Sequence, residues 1–341
     1  MLEQAIWKYQ HRVRFYFGPG SVKEIPRELA QNSIHRPMIV CGRTAMKSTG
    51  ILDRVIKLCG GDVYIYDRIP PNPEYQNAEE AAALCREHRC DAVIGLGGGS
   101  AIDAAKAISM MSTHEGSLLD YLEQKAVFTG PGIPIYAIPT TSGTGTEANP
   151  FFVIVVREKN AKLSGAPEWA YPVASFLDPE LVTPLSEKQT ATTGLDVISH
   201  AFESLWARPA SPLTDMNALK AIELAFKWLP AAVENGKSLQ AREKMMFACL
   251  CAALALCQTR TAVVHGVSYP LTVKWELEHG FACAFTLAEF LDIIWDSLGE
   301  ERTNALLKAL GETSRNAAVE RVSDFRHAMG TPVHLEDIGV S

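Results

Sequence analysis

The sequence predicts an α/β domain followed by an all-α domain. Two observations carry that reading. Short apolar runs alternate with helix-patterned segments in the first half, and the second half reads as successive helices with few β-branched clusters. At 341 residues the chain is long for one domain and comfortable for two. The character changes near Asp178-Pro-Glu-Leu-Val-Thr-Pro184, so the domains are read as 1–184 and 185–341.

Taken in order, Pro37–Gly42 is a short apolar run that stops at a glycine, as a buried strand does. Asp62–Tyr66 is β-rich and is followed by the breaker cluster Ile69-Pro70-Pro71-Asn72-Pro73. Asn77–His88 has helical spacing. Asp91–Leu96 is a third strand, followed by glycines and a helix over Ser100–Met111, with Ser100 as N-cap and Asp103 completing a capping box. Ile133–Ile138 is a fourth strand. Strands separated by helices of this length imply a parallel sheet that binds ligands at the carboxyl ends of its strands. In the second half Ser186 and Gln189 form a capping box, Met245–Cys257 reads as a buried helix, and Pro270 is expected to break a helix.

Composition narrows the partners. An apolar fraction of 47% and a net charge of −7, with Lys and Arg scattered, argue against nucleic acid or an anionic membrane. An anionic small substrate stays possible, because a pocket needs only one or two local cations. None of the eight cysteines forms a C-x-x-C pair, and most sit in apolar runs, as reduced buried thiols do. The start, MLEQAIWKYQHRVRF, carries charges where a signal peptide needs apolar residues, so a cytoplasmic location is expected.

Gly95-Leu-Gly97-Gly98-Gly99-Ser100 joins the third strand to a helix. Glycines let a phosphate approach the backbone, and a helix start offers free N–H groups and a positive dipole end. A tight strand-to-helix turn would use the same residues. A second loop rich in glycine and hydroxyl groups, Pro139–Glu147, follows the next strand, which strengthens the phosphate reading.

Asp196 and His200 are four apart and share one helix face. With His265 and His279 they make one carboxylate and three imidazoles, a set suited to Fe²⁺ or Zn²⁺ with positions open for substrate. Histidines in apolar runs are also ordinary core residues, and both readings stay open on pattern alone.

With a stretch, Thr259-Arg260-Thr261 through Ser268-Tyr269-Pro270-Leu271-Thr272 and later Ala282-Cys283-Ala284, that looks most like the branch that reduces phosphonoacetaldehyde to 2-hydroxyethylphosphonate, the joint pattern resembles the iron-containing (group III) alcohol dehydrogenases. It runs from Phe17-Gly18-Pro-Gly20 to the end of the chain, and takes in Asn72-Pro73, Gly97–Ser100 with Asp103 and Lys106, Pro139–Glu147, Asp178-Pro179, Thr193–Asp196 with His200, His265 and His279-Gly280. The resemblance implies a Rossmann-like N-terminal domain and a helical C-terminal domain, a dehydroquinate synthase-like architecture, working as a homodimer or larger assembly. It implies Asp196, His200, His265 and His279 as metal ligands. Gly97, Gly98, Ser100, Thr140, Thr141, Thr144 and Lys162 match cofactor-contacting positions, as does Asn72.

Three departures bear on function. Relatives that prefer NAD commonly carry Asp where this chain has Gly42; Gly42 followed by Arg43 removes repulsion of a 2′-phosphate and adds a cation, so NADP(H) is expected over NAD(H). A histidine four residues after the third ligand is replaced by Tyr269, a candidate proton relay or a packing residue. The chain stops at Ser341, where relatives usually continue into further helix. For the anionic tail of a short aldehyde, Arg260 and Lys274 are the candidate cations nearest in sequence to a ligand. Rival readings are reduction of sulfoacetaldehyde or a simple alkanal, a dehydroquinate-synthase-like lyase, a metal-free maleylacetate-reductase-like enzyme, and a non-catalytic dinucleotide sensor.

Overall fold

The structure, a computed structural model, describes residues 6–340. It contains two compact units. The α/β unit comprises Arg12–Thr141 and Thr146–Pro184; the helical unit comprises the segment ending at His11, the loop Ser142–Gly145, and the chain from Leu185 onward. The loop joins the helical unit because its glycines let backbone approach helix: a Cβ on Gly143 would lie 2.8 Å from the Thr193 Cβ, and one on Gly145 2.4 Å from that of Ala253.

The α/β unit runs β1 (Arg14–Phe17), α1 (Ile25–Gln31), β2 (Pro37–Val40), α2 (Ala45–Ser48), α3 (Ile51–Cys59), β3 (Tyr64–Tyr66), α4 (Tyr75–Glu87) and β4 (Ala92–Gly97). It continues through α5 (Gly99–Thr113), α6 (Leu118–Leu122), β5 (Ile135–Pro139), the hairpin β6 (Phe152–Val156) and β7 (Ala161–Gly165), and β8 (Ala174–Leu177). Six strands form one parallel sheet in the order β1-β8-β5-β4-β2-β3. All six residues of β4 are buried, as expected of a strand covered on both faces. Alternation then sorts side chains by face. Met38, Val40 and Val93 pack with Ala78, Ala82, Ala104 and Ile108 of α4 and α5. Ile39, Ile94 and Leu96 pack with Ile25, Leu29, Leu52 and Val55 of α1 and α3. Each such fully buried Val, Leu, Ile or Met side chain stabilises the fold by about 1.5–3 kcal/mol.

β1 and β8, which the sequence reading leaves out, extend the sheet beyond β5. Each is four residues long and too short to show a periodicity of its own. The start of α5 also differs from expectation. Its N-cap is Gly98, not Ser100, and the Ser100 hydroxyl accepts the backbone N–H of Asn72 at 3.1 Å. Asp103 likewise caps nothing: its carboxylate accepts the Thr146 hydroxyl at 2.6 Å and the Val153 N–H at 2.9 Å. Fully buried Lys106 donates to Thr146 and Phe151 carbonyls, both at 2.6 Å. Tertiary hydrogen bonds, not local capping, absorb these polar groups.

The helical unit contains α7 (Glu187–Trp206), α8 (Pro212–Glu234), α9 (Leu239–Thr259), α10 (Val263–Lys274), α11 (His279–Ala284), α12 (Leu287–Ile294), α13 (Glu300–Leu310) and α14 (Arg315–Ala328). Ser186 caps α7 as expected, accepting the Gln189 N–H at 3.2 Å. α7 lies at the centre: residues 194–205 are all buried, and Gly194 lets α8 approach, since a Cβ there would lie 2.2 Å from Leu229. Pro270 sits inside α10 and does not break it, a correction to the sequence reading. α10 ends four residues later at Lys274, so His265 and His279 still lie on separate helices as expected; a further break precedes α10, where Arg260 takes a positive φ of 62° and α10 leaves α9 at 106°. No single helix among the described residues is long and apolar enough to cross a membrane.

Candidate metal centre

On α7 three acidic or imidazole side chains, Asp196, His200 and Glu203, recur at spacings of four and three and therefore share one helix face. All are buried in the unit's interior. His265 comes from the first turn of α10, and His279 opens α11. α11 is seated by Gly280, where a Cβ would lie 1.7 Å from the Thr192 carbonyl oxygen of α7.

These placements bring the four predicted ligands together. Asp196 Oδ1 lies 3.6 Å from His200 Nε2, 3.5 Å from His265 Nε2 and 3.8 Å from His279 Nε2. The His200 and His265 rings stack at 4.6 Å, and His279 meets His265 edge-on at 5.4 Å. Both Asp196 Oδ1 and His265 Nε2 are buried without a hydrogen-bond partner. Orphaned buried donors and acceptors are costly. For four ligands with bonds near 2.1 Å in tetrahedral array, donor separations are about 3.4 Å, close to those seen here. The residues present thus fit a divalent cation.

Two residues at this centre were missed by sequence reasoning. Glu203 Oε2 accepts the His265 Nδ1–H at 2.7 Å and the Ala262 N–H at 2.8 Å, while Oε1 accepts the N–H groups of Val264 at 2.5 Å and His265 at 3.2 Å. One carboxylate therefore caps α10 and sets the tautomer that turns His265 Nε2 inward. The spacing from Asp196 and His200 was the available signal. Cys283, one turn after His279 on α11, places Sγ 3.7 Å from His279 Nε2. Its donor atom and those of Asp196, His265 and His279 all lie within 4.8 Å of one another.

Electrostatics follow from this packing. Burial alone would raise the Asp196 carboxyl, but His200, His279 and His265 hold it well below the usual carboxylate range. Burial pushes His200 down to about 4, so its imidazole is neutral at pH 7. His265 and His279 are raised despite burial by Cys283 and Asp196, with Glu203 adding to the effect at His265. Cys283 is lowered to about 7, the two neighbouring imidazoles outweighing burial.

The remaining candidates fall as follows. Tyr269 is one turn beyond His265 on α10, 39% exposed, with its phenol raised by burial. Arg260 is exposed at the α9–α10 corner. Lys274 closes α10 with its ammonium 4.4 Å from the Trp275 ring centre, about 14 Å along the helix axis from His265 at 1.5 Å per residue.

In the α/β unit, successive connections leave β2 and β4 in opposite directions, so the topological switch point lies between them. The pairing ends at Val40↔Gly95, so Gly42 and Gly97 each come two residues after the last pair at that point. Gly97 and Gly98 lead into α5, the Thr140 N–H donates to the Gly97 carbonyl at 2.9 Å, and a Cβ on Gly98 would lie 3.3 Å from Thr141. Ser100 joins Asn72 as described. Lys162 pairs with Val155, whose N–H reaches the Pro73 carbonyl next to Asn72. Thr144 lies in the loop that groups with the helical unit.

Comparison with known proteins agrees with both halves. The iron-containing alcohol dehydrogenase family model matches residues 13–179, and the model of that family's C-terminal part matches residues 190–341. The chain is 31% identical over 333 residues to alcohol dehydrogenase 4 of Schizosaccharomyces pombe, covering 95% of this chain and 78% of that one. It is 32% identical over 337 residues to the NAD-dependent methanol dehydrogenase of Bacillus methanolicus, covering 95% and 87%. The crystal structure of sulfoacetaldehyde reductase from Bifidobacterium kashiwanohense in complex with NAD⁺ superposes with a TM-score of 0.93 at 30% identity, covering 99% of this chain and 89% of that one. The chain therefore belongs to the iron-containing alcohol dehydrogenase family, whose members interconvert alcohols and aldehydes with NAD(H) and a divalent metal ion.

Proposed function

We propose that this protein reduces a short aldehyde carrying an anionic tail, phosphonoacetaldehyde in the first instance, with NADPH preferred over NADH. The observation that supports the metal-dependent reduction is the convergence of three imidazole Nε2 atoms on Asp196 Oδ1 within 3.5–3.8 Å, with Asp196 Oδ1 and His265 Nε2 buried and unsatisfied. When bound, a divalent cation supplies Lewis acidity toward the carbonyl oxygen and the nicotinamide supplies a hydride.

The chain's own residues do the rest. Asp196, His200, His265 and His279 would hold the cation, with the Asp196 carboxylate neutralising part of its charge. Glu203 keeps the His265 lone pair directed inward. Gly97, Gly98 and Ser100, at the N-terminus of α5, receive the pyrophosphate, with Asn72, Thr140, Thr141 and Lys162 of the same unit as further contacts. Gly42 leaves room for a 2′-phosphate, and exposed Arg43 is available to pair with it. Tyr269 gives a proton to the product oxygen. Arg260 meets the anionic tail; Lys274, at the far end of α10, is the weaker candidate for that role.

The experiment is a rate panel on Fe²⁺- and Zn²⁺-loaded protein with phosphonoacetaldehyde, sulfoacetaldehyde, succinic semialdehyde and propionaldehyde, each with NADPH and NADH. A preference for the two-carbon anionic aldehydes with NADPH supports the proposal; faster turnover of propionaldehyde than of either overturns the tail assignment. Sulfoacetaldehyde is the second reading, favoured by the 30% identity to the reductase of that substrate. Net NADPH oxidation that requires added aldehyde separates both from a lyase that uses the dinucleotide only transiently.

A further inference from the structure

Resting on the metal reading of this centre, we propose that Cys283 is an alternative fourth donor, sharing Asp196, His265 and His279 with His200, so that thiophilic divalent cations are held through sulfur. Cys283 is fully buried. Its Sγ belongs to a cluster with Asp196, His265 and His279 whose donor atoms all lie within 4.8 Å of one another. His200 flanks that cluster from α7, 3.6 Å from Asp196 Oδ1 and stacked on His265. Three donors are therefore common to two four-donor sets, one closed by nitrogen and one by sulfur.

The scaffold holds both sets in place. His279 and Cys283 are four apart on one helix and project from the same face. The contact of Gly280 with Thr192 leaves α11 no room to slide against α7. The unsatisfied Asp196 Oδ1 and His265 Nε2 lie 3.5 Å apart, as two donors to one shared cation would. Chemistry then divides the occupants. Thiolate selects soft and borderline ions such as Cd²⁺ and Zn²⁺, whereas harder Mn²⁺ gains little from it and is served by the Asp/His/His/His set. Binding through sulfur breaks the S–H bond, forms a metal–sulfur bond and releases one proton to solvent.

The test uses metal-free full-length protein, kept reduced, and one equivalent of Cd²⁺ per chain. The expected result is a sulfur-to-metal charge-transfer band in the near ultraviolet that Cys283→Ser lacks and His200→Ala keeps. Cys283→Ser should lower Cd²⁺ affinity by about tenfold or more and Mn²⁺ affinity by less than about threefold, read by competition with a chelating dye. Stoichiometric Cd²⁺ uptake by wild type without the band, or an unchanged band in Cys283→Ser, overturns the role of Cys283 and leaves the metal centre standing. Failure of wild type to take up either ion overturns both.

Discussion

Glu203 Oε2 accepts the Nδ1–H of His265 at 2.7 Å, and the same carboxylate takes three backbone N–H groups at the start of α10. The pairing links the orientation of His265, a proposed ligand, to the capping of the helix that carries it. Glu203→Ala removes both at once. Metal affinity should fall by roughly 10–100-fold, the usual effect of losing a ligand's hydrogen-bonded support. Glu203→Gln keeps the volume but points a donor at N–H donors, and should behave almost as badly. Metal titration of both variants checks this; unchanged affinity in Glu203→Ala would remove the positioning role.

Asp196→Asn deletes the only anion among the four predicted ligands and should abolish tight metal binding. Chelation of wild type and this substitution should give the same loss of turnover, read by metal analysis beside the rate assay. Retained stoichiometric metal in Asp196→Asn would refute the assignment of Asp196.

Gly280→Ala tests packing. The added Cβ would lie 1.7 Å from the Thr192 carbonyl oxygen, so α11 must move and carry His279 with it. Overpacking of this kind costs about 1–3 kcal/mol, and here backbone rather than a flexible side chain is in the way. The expected result is a lowered Tm together with reduced metal content.

Cofactor choice is tested by Gly42→Asp. A Cβ at Gly42 meets only the Ile69 carbonyl oxygen at 3.5 Å, an ordinary contact, so the side chain fits. A carboxylate there repels a 2′-phosphate, and the ratio of kcat/KM for NADPH over NADH should fall by about tenfold or more. An unchanged ratio would place cofactor discrimination elsewhere.

Metal-free protein should carry two opposing pH dependences at this centre, and the increment from bound metal one of definite sign. His200 is held at about 4 in the fold against 6.5 unfolded, so it costs stability as pH falls through that window. His265 and His279 are raised, so the stability they contribute is complete below 6.5 and is lost as pH rises through their folded values. Metal requires the neutral imidazoles, and its stabilising increment should therefore grow with pH. Thermal melts of metal-free and loaded protein between pH 5.5 and about pH 8.5 check the prediction; a constant increment would contradict it.

Much of this protein was legible in the residues themselves. Alternating strand and helix patterns announced the parallel sheet, because each element records in its own periodicity which face is buried. The i,i+4 spacing placed Asp196 and His200 on one face, and Gly97–Ser100 marked a strand-to-helix turn. Tertiary structure decided the rest. His279 meets Asp196 through the close approach of α11 to α7 at Gly280, and His265 through the Glu203 carboxylate that holds the start of α10, neither of which a local window encodes. Ser100 and Asp103, good capping residues by local chemistry, were drawn off by Asn72, Thr146 and Val153. Glu203 and Cys283 acquired their places beside the histidines for the same reason. Patterns along a chain report burial of one face, whereas a site of converging side chains is set by how the buried faces pack together.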